Sequence, residues 1–312
     1  LTPNDYMEIE VARGCPGNCI FCGQRRFYEI SAGNGPFPPV RYKSAQRVCR
    51  EVAYWYERGY RKFLFGMDNV INKSFWEGLL RQVKSYPFLQ EISLYLIGRA
   101  WELVHYEELT DRMYATFQID AIEVGFESNS TAMLSLLRKK ASAEINQQLL
   151  RLNETLASKY ERNTRIVADF IVFTHPDMSW QDLITNMEFF YQYNYHPEGI
   201  LKKLIGYPGT MFWQMLKDRG YKEQENFVID EYQFTDPKVD EAYRLLCHLV
   251  ALNPKMRREE YGTILAAMKE GNLHDIFVKL RDQWSVDNMG TAIDRIHRIL
   301  QQHSSQSHQR FC

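Results

Sequence analysis

Three cysteines, Cys15, Cys19 and Cys22, fall within eight positions of the stretch "ARGCPGNCIFCGQ". A Cys-x3-Cys-x2-Cys run offers three soft ligands from one short loop, and soft thiolates select zinc, copper(I) or iron–sulfur clusters. Structural zinc wants a closed tetrahedral set of four, and ordinary ferredoxin clusters also recruit four cysteines. The next candidates, Cys49 and His105, lie outside easy reach of the loop. Three anchors without a fourth therefore suit a cubane cluster with one iron left open to a small molecule. Gly14, Pro16, Gly17 and Gly23 let the backbone bend tightly around such a group and aim N–H donors at its sulfurs. The competing reading, three small buried hydrophobes, accounts less well for this spacing in a Gly/Pro loop.

Something must hold that loop. An apolar run, "YMEIEVA" (6–12), ends at Ala12, just before it. Five more strand-like runs follow: "KFLFGM" (62–67), "EISLYLI" (91–97), "AIEVGFE" (121–127), "RIVADFIVF" (165–173) and "GILKKLIGY" (199–207). Helix-like segments lie between them, such as "SAQRVCREVAYWYERG", "SFWEGLLRQVKSY" and "WQDLITNMEFFYQY". Gly59 and Gly220 stand where a helix ends in a left-handed residue. Ser44, Ser74 and Ser142 stand at N-cap positions. Strands alternating with helices predict a parallel α/β sheet, and such folds place their sites at the carboxyl ends of strands. From about residue 223 the pattern becomes helical, opening with Asp236 as N-cap and Pro237 at the first helical position. The expected organisation is an α/β domain over 1–222 and a helical region over 223–312.

Composition narrows the function classes. The 312 residues are 45% hydrophobic and 25% charged, the balance of a globular protein with a core. Lys and Arg number 38 against 39 Asp and Glu, so a net charge of −1 gives no electrostatic case for a nucleic-acid or membrane partner. No apolar run approaches the ~20 residues of a membrane span. The opening "LTPNDYMEIE" has neither the basic nor the apolar region of a signal peptide. It also lacks an initiator Met, which suits a piece of a longer protein. Bunched thiols without spaced partners point to a reducing compartment, with the cytoplasm as the expected location.

The cysteine stretch resembles the signature of radical S-adenosylmethionine (SAM) enzymes, in which three cysteines hold a [4Fe-4S] cluster. The likeness continues along the chain. "YERGYRKFLFGMDNVI" and "GRAWEL" resemble the second- and third-strand segments of the subgroup containing the methylthiotransferases and cobalamin-dependent radical SAM enzymes. "VGFESNSTAMLSLLRKKAS" and "LIGYPGTMFWQMLKDRG" resemble its fourth- and sixth-strand segments. The matches run in order over residues 6 to about 220.

This resemblance implies a partial (β/α)6 TIM-like barrel with cluster and SAM at its open top. Cys15, Cys19 and Cys22 would bind the cluster, and Phe21 matches the aromatic position beside the adenine. Asp68 would lie near the methionine amino group, Arg99 would face the carboxylate or ribose, and Glu127 would reach the ribose hydroxyls. Carboxylates accept from ammonium and hydroxyl groups, and guanidinium pairs a carboxylate bidentately. The fifth strand, "DFIVFTHPDMSW", departs from the family: Thr174 and His175 replace the usual small residues, and adenine packing there falls to Val172 or Phe173. His175 is a candidate catalytic group facing substrate, although a lone histidine at a strand end is more often structural. Cys247 is a second candidate, as a hydrogen-atom donor, against the commoner fate of packing in the core. Cys49 falls on an apolar helix face, and "RRF" (25–27) suits substrate contact or shielding of the cluster.

The implied activity is reductive cleavage of SAM, fed by an external donor of flavodoxin or ferredoxin type, followed by hydrogen abstraction from a small-molecule or peptide substrate. The subgroup favours C-methylation with cobalamin, which requires a cobalamin-binding domain upstream of the first strand. An epimerase or cyclase working without cobalamin is the alternative. Two readings of other classes are an iron–sulfur electron carrier, which needs a fourth protein ligand, and a zinc-stabilised interaction module, which would be colourless.

Overall fold

The computed structural model describes residues 2, 4–31, 40–66, 69, 71–193, 196 and 199–285. In chain order the elements are β1 (Met7–Glu10), β2 (Ala12–Arg13), α1 (Gly23–Ser31), β3 (Arg41–Tyr42), α2 (Ala45–Tyr56), β4 (Lys62–Gly66) and α3 (Lys73–Gln82). They continue with β5 (Ser93–Gly98), α4 (Ala100–His105), α5 (Glu107–Thr116), β6 (Gln118–Glu127), α6 (Thr131–Leu136), α7 (Ala143–Lys159) and β7 (Arg165–Phe170). Five helices follow: α8 (Trp180–Tyr193), α9 (Met211–Asp218), α10 (Pro237–Leu252), α11 (Arg258–Glu270) and α12 (Leu273–Ser285). Two compact units result. One comprises Leu1–Phe126 with Lys139–Asp169, the other Glu127–Arg138 with Phe170–Cys312.

The first unit is built on a five-stranded sheet in the order β1-β4-β5-β6-β7, so spatial order follows chain order. The ladders β1–β4, β4–β5 and β5–β6 run parallel, as helical crossovers require. This is the α/β class that the alternation of runs predicts. Side-chain alternation gives the sheet two unlike faces. Met7, Ile9, Phe63, Phe65, Leu94, Leu96, Val124 and Phe126 are buried, whereas Glu8, Leu64, Tyr95, Ile97 and Glu123 between them stay partly or wholly exposed. In the register of β5 on β6, Leu94 faces Ile119 and Tyr95 faces Ala121, which bulges out Asp120. Tyr6 donates to Asp120 at 2.7 Å and Tyr95 to Glu123 at 2.8 Å, so phenols hold the carboxylates of the open face.

Helices cover the first unit in sequence: α2 packs on α3, α3 on α5, and both α4 and α5 on α7. Trp76, fully buried, packs against Phe65, Phe75 and Phe117 with ring centroids 5.7–6.3 Å away. In the second unit α8 packs against α10 and α11, and α12 against the same two. Among the described residues no helix is long and apolar enough to cross a membrane.

Local signals act mostly where they stand. Ser44 accepts from the Arg47 N–H and Ser142 from the Ile145 N–H, both at 3.3 Å, and Asp236 from the Lys238 N–H at 2.9 Å. Gly59 and Gly220 are left-handed, with φ of 94° and 86°. Ser74 is not a cap: Asn72 takes the Phe75 N–H at 3.0 Å and starts α3 two residues earlier. The fifth run stops at Phe170 because the Ile171 N–H turns to the Glu127 carbonyl at 3.0 Å. The sixth run, 199–207, forms only bridges, Lys203 beside Phe173 and Gly206 against Ile229. Its first residues are engaged in a turn, where Lys202 donates to the Gly199 carbonyl at 3.1 Å. The expected last helix, "NMGTAIDRIHRILQQH", lies outside the described residues.

Candidate functional site

The cysteine loop is set by the two short strands that flank it. β2 pairs antiparallel with β3, Ala12 opposite Tyr42 and Arg13 opposite Arg41. Gly14 then turns left-handed at φ 95°, and an added Cβ would lie 3.3 Å from the Val40 Cα, so a side chain there would be both strained and crowded. Within the loop the Gly17 N–H donates to Cys15 Sγ at 3.4 Å. The Cys22 N–H donates to the Cys19 carbonyl at 3.3 Å. Arg25, the first residue of "RRF", reaches back to the Gly17 carbonyl at 2.7 Å and braces the turn from α1.

All three cysteines are half-buried, and none is in a disulfide among the described residues. A Cβ placed at Gly17 would stand 3.2 Å from Cys15 Sγ, 3.8 Å from Cys19 Sγ and 3.6 Å from Arg99 Nη1. Two sulfurs and a guanidinium thus surround one position that has no side chain. Among the described residues, no three His, Cys, Asp or Glu side chains are grouped to hold a single metal ion. A cluster makes a different demand, since each thiolate binds its own iron and the sulfurs need not meet at one point. Three thiols, an N–H on one sulfur and a nearby cation fit that demand.

Arg99 stands at the carboxyl end of β5 as the extended N-cap residue of α4. Its guanidinium pairs with Glu102, one helical turn on. Glu102 also accepts from Asn69 Nδ2 at 2.6 Å, and both residues are only 6% exposed. The Asn69 carbonyl in turn takes the Tyr42 hydroxyl at 3.0 Å. Burial works against the Arg99 charge, but Glu102 and, less strongly, Cys15 and Cys19 raise its pKa above the usual arginine value. Arg99 Nε is buried without an acceptor among the described residues. Phe21 is half-buried in the turn before the third cysteine. Asp68 lies outside the described residues.

The remaining sequence candidates belong to the second unit. Glu127 adopts a left-handed conformation with φ 60°. After it, Ser128 Oγ and the Asn129 N–H both donate to Asn186 Oδ1 at 2.8 Å. Asn186 Nδ2 donates to the Val172 carbonyl at 3.1 Å and to Thr174 Oγ1 at 2.9 Å. This fully buried asparagine of α8 fixes two loops together, and Val172 is itself fully buried. His175 is buried, its Nδ1 accepts the Asp177 N–H at 3.1 Å, and burial lowers its pKa despite Asp177 nearby. Cys247 sits on α10, where burial pushes its thiol up to about 11 against the opposing effects of Tyr243 and Lys203. Lys203 donates to the Tyr232 carbonyl at 2.6 Å and lies over the rings of Tyr232, Tyr243 and Phe234 at 3.9, 4.8 and 5.3 Å.

Sequence reasoning missed Glu102, Asn69, Tyr42 and Asn186. Glu102 carried a usable signal, an opposite charge three residues from Arg99 on a helix. The others depend on strand pairing and inter-element packing, which leave no local pattern. A separate groove of about 530 Å³ beside β1 and α2 is lined by Glu8, Lys43, Arg47, Arg50 and Glu51 among others. Within it Glu51 pairs with Lys43 at 2.7 Å and Arg47 at 3.0 Å, and none of the cysteines lines it.

No family model matches the chain. Its fold, however, is shared with a solved cobalamin-dependent S-adenosylmethionine radical enzyme, OxsB, with aqua-cobalamin and S-adenosylmethionine bound. That likeness has a TM-score of 0.57 at 15% identity and covers 96% of this chain and 58% of that one. Among curated proteins the chain is 26% identical over 240 residues to an uncharacterised methyltransferase of Synechocystis sp., covering 74% of this chain and 40% of the relative. It is 24% identical over 149 residues to an anaerobic magnesium-protoporphyrin IX monomethyl ester cyclase of the same organism, covering 46% of this chain and 27% of the relative. The likeness to the radical SAM superfamily therefore holds in fold as well as in sequence. The chain spans about two-fifths of the first curated relative.

Proposed function

We propose that the chain is the SAM-cleaving core of a radical SAM enzyme, with a [4Fe-4S] cluster on Cys15, Cys19 and Cys22. The observation that carries this is the grouping at Gly17, where two sulfurs and the Arg99 guanidinium surround one position without a side chain. The reading extends to a partial (β/α)6 barrel over 1–222, with the bridge of Lys203 to Phe173 as its sixth member, and a helical region over 223–312. When bound, the cluster supplies the electron that splits SAM into methionine and the 5′-deoxyadenosyl radical.

The chain's own residues bind, orient and exclude water. The Gly17 N–H offsets charge on the Cys15 sulfur. Arg99, with its buried Nε lacking an acceptor among the described residues, takes the SAM carboxylate. Glu127 accepts the ribose hydroxyls, Asp68 the amino group, and Phe21 and Val172 flank the adenine. Substrate carbon is held close to the ribose by the loops at the strand ends, where proximity rather than acid–base chemistry selects the hydrogen removed. His175 and Cys247 are not assigned a step: one is committed to a backbone N–H, the other is a half-buried thiol whose pKa lies above the ordinary value.

The methyltransferase relative and the cobalamin-dependent fold neighbour favour C-methylation with cobalamin, supplied by a part of the protein outside this stretch. The cyclase relative supports a second reading, radical ring formation on a small molecule or peptide. Either needs an external one-electron donor in a reducing compartment.

The test is anaerobic reconstitution with iron and sulfide, followed by visible spectroscopy and a 5′-deoxyadenosine assay with SAM and dithionite. The intact chain is expected to turn brown and release 5′-deoxyadenosine, and Cys19→Ala to lose both. Production that persists in the variant overturns the assignment. A colourless zinc protein, or a cluster with four side-chain ligands and no SAM affinity, would support the interaction module or the electron carrier.

A further inference from the structure

Arg99 is engaged on three sides. Nη1 faces the space beside Gly17 shared with Cys15 and Cys19, Nη2 pairs with Glu102, and Nε is buried without an acceptor among the described residues. A long cationic side chain left to itself extends its head into water. Here it is held inward by a carboxylate that is itself held. Asn69 donates to Glu102 at 2.6 Å, and Tyr42 donates to the Asn69 carbonyl at 3.0 Å. Tyr42 faces Ala12, two residues before Gly14 opens the cysteine loop. The bonds therefore run from the entrance of the loop, past the end of β4, to the first turn of α4 and back to the loop through Arg99.

We propose that Glu102, braced by Asn69 and Tyr42, is a positioning residue that holds Arg99 with a free edge presented to a carboxylate-bearing ligand beside the cysteine loop. This rests on the SAM reading above and adds what orients the guanidinium. A guanidinium is a planar fork, so fixing one edge against a buried carboxylate pre-orients the other for an incoming one. The Glu102 charge has a second effect. It offsets the pull of Arg99 on the anionic sulfurs, and without it a bound cluster becomes easier to reduce.

The experiment uses the full chain, reconstituted anaerobically, with Glu102→Gln, Arg99→Gln, the double variant and Tyr42→Phe. Glu102→Gln keeps the side-chain size and an acceptor for Asn69 but removes the charge. SAM affinity is read by equilibrium titration and the cluster midpoint potential by EPR-monitored redox titration. Glu102→Gln is expected to raise the SAM Kd about tenfold, the worth of one charge-assisted contact, and to move the potential upward. In the Arg99→Gln background it should leave the SAM Kd unchanged, while the potential, which feels the Glu102 charge directly, still moves upward. Tyr42→Phe, which removes one hydroxyl and leaves the ion pair intact, should raise the Kd by about threefold and serves if Glu102→Gln does not fold. Unchanged affinity in both variants, or an equal Glu102→Gln effect on affinity without Arg99, overturns the proposal. A wild-type chain that takes up no cluster or binds no SAM overturns the parent reading, and this one with it.

Discussion

Glu127 holds a backbone conformation that L residues avoid, at φ 60°, at a cost of roughly 1–2 kcal/mol. Such strain persists where a particular side chain is needed at that point. Glu127→Gly is therefore expected to keep or raise the melting temperature while abolishing SAM binding by the reconstituted protein. A variant that melts earlier and still binds SAM would show that the carboxylate serves the fold alone. Lys203 illustrates a different conflict. Burial brings its pKa down from the ordinary 10.5 to about 8, against the opposing pull of Asp230, Cys247 and other acidic groups. The folded protein thus releases this proton before the unfolded chain does. The penalty of a buried charge is complete below pH 8 and fades as pH rises toward 10.5, so this group adds stability with rising pH across that window. Urea unfolding from pH 7 to 10 should show wild type gaining on Lys203→Met as pH increases; a constant difference would exclude the effect. At this scale the cysteine loop was legible because three thiols at close, fixed spacing stand out along the chain. Asn69 and Asn186 were not, since each acts through groups remote in sequence, as Asn186 does on Ser128 and Val172.

Among the elements, α11 is docked on α8 by a buried polar contact, Tyr261 to the Met187 carbonyl at 3.0 Å, with Arg258 on the Gln192 carbonyl and Lys269 on Glu188 at the rim. Tyr261→Phe removes this second hydrogen bond to a carbonyl already bonded within α8 and should cost about 1 kcal/mol in denaturant unfolding. A loss near zero would mean that water replaces the hydroxyl. Strands and long helices were readable because burial imposes periods of two and 3.6 on the sequence. What escaped was structure decided by competition for backbone groups. The run 199–207 has the composition of a strand, yet its amides go to a turn and to Ile229. Likewise the pairing of β2 with β3 rests on two residues each, Ala12–Arg13 and Arg41–Tyr42, too short to impose a pattern.

For the molecule as a whole, alternation of runs was enough to fix a parallel α/β class, and the motif order was enough to place the chain beside the SAM radical enzymes. Curvature of the sheet was not legible, because closure depends on twist and stagger between strands rather than on the order of residues. The two-faced sheet was partly legible. Glutamates interrupt "YMEIEVA" and "AIEVGFE" at alternate positions, unlike strands buried on both sides. β1 ends the sheet with β4 as its neighbour. Its outer margin is four residues long, with Glu8 in water and Glu10 tied to Arg13. Short length and like charges discourage a foreign strand from adding there. That margin is thereby guarded against stacking edge to edge into fibres.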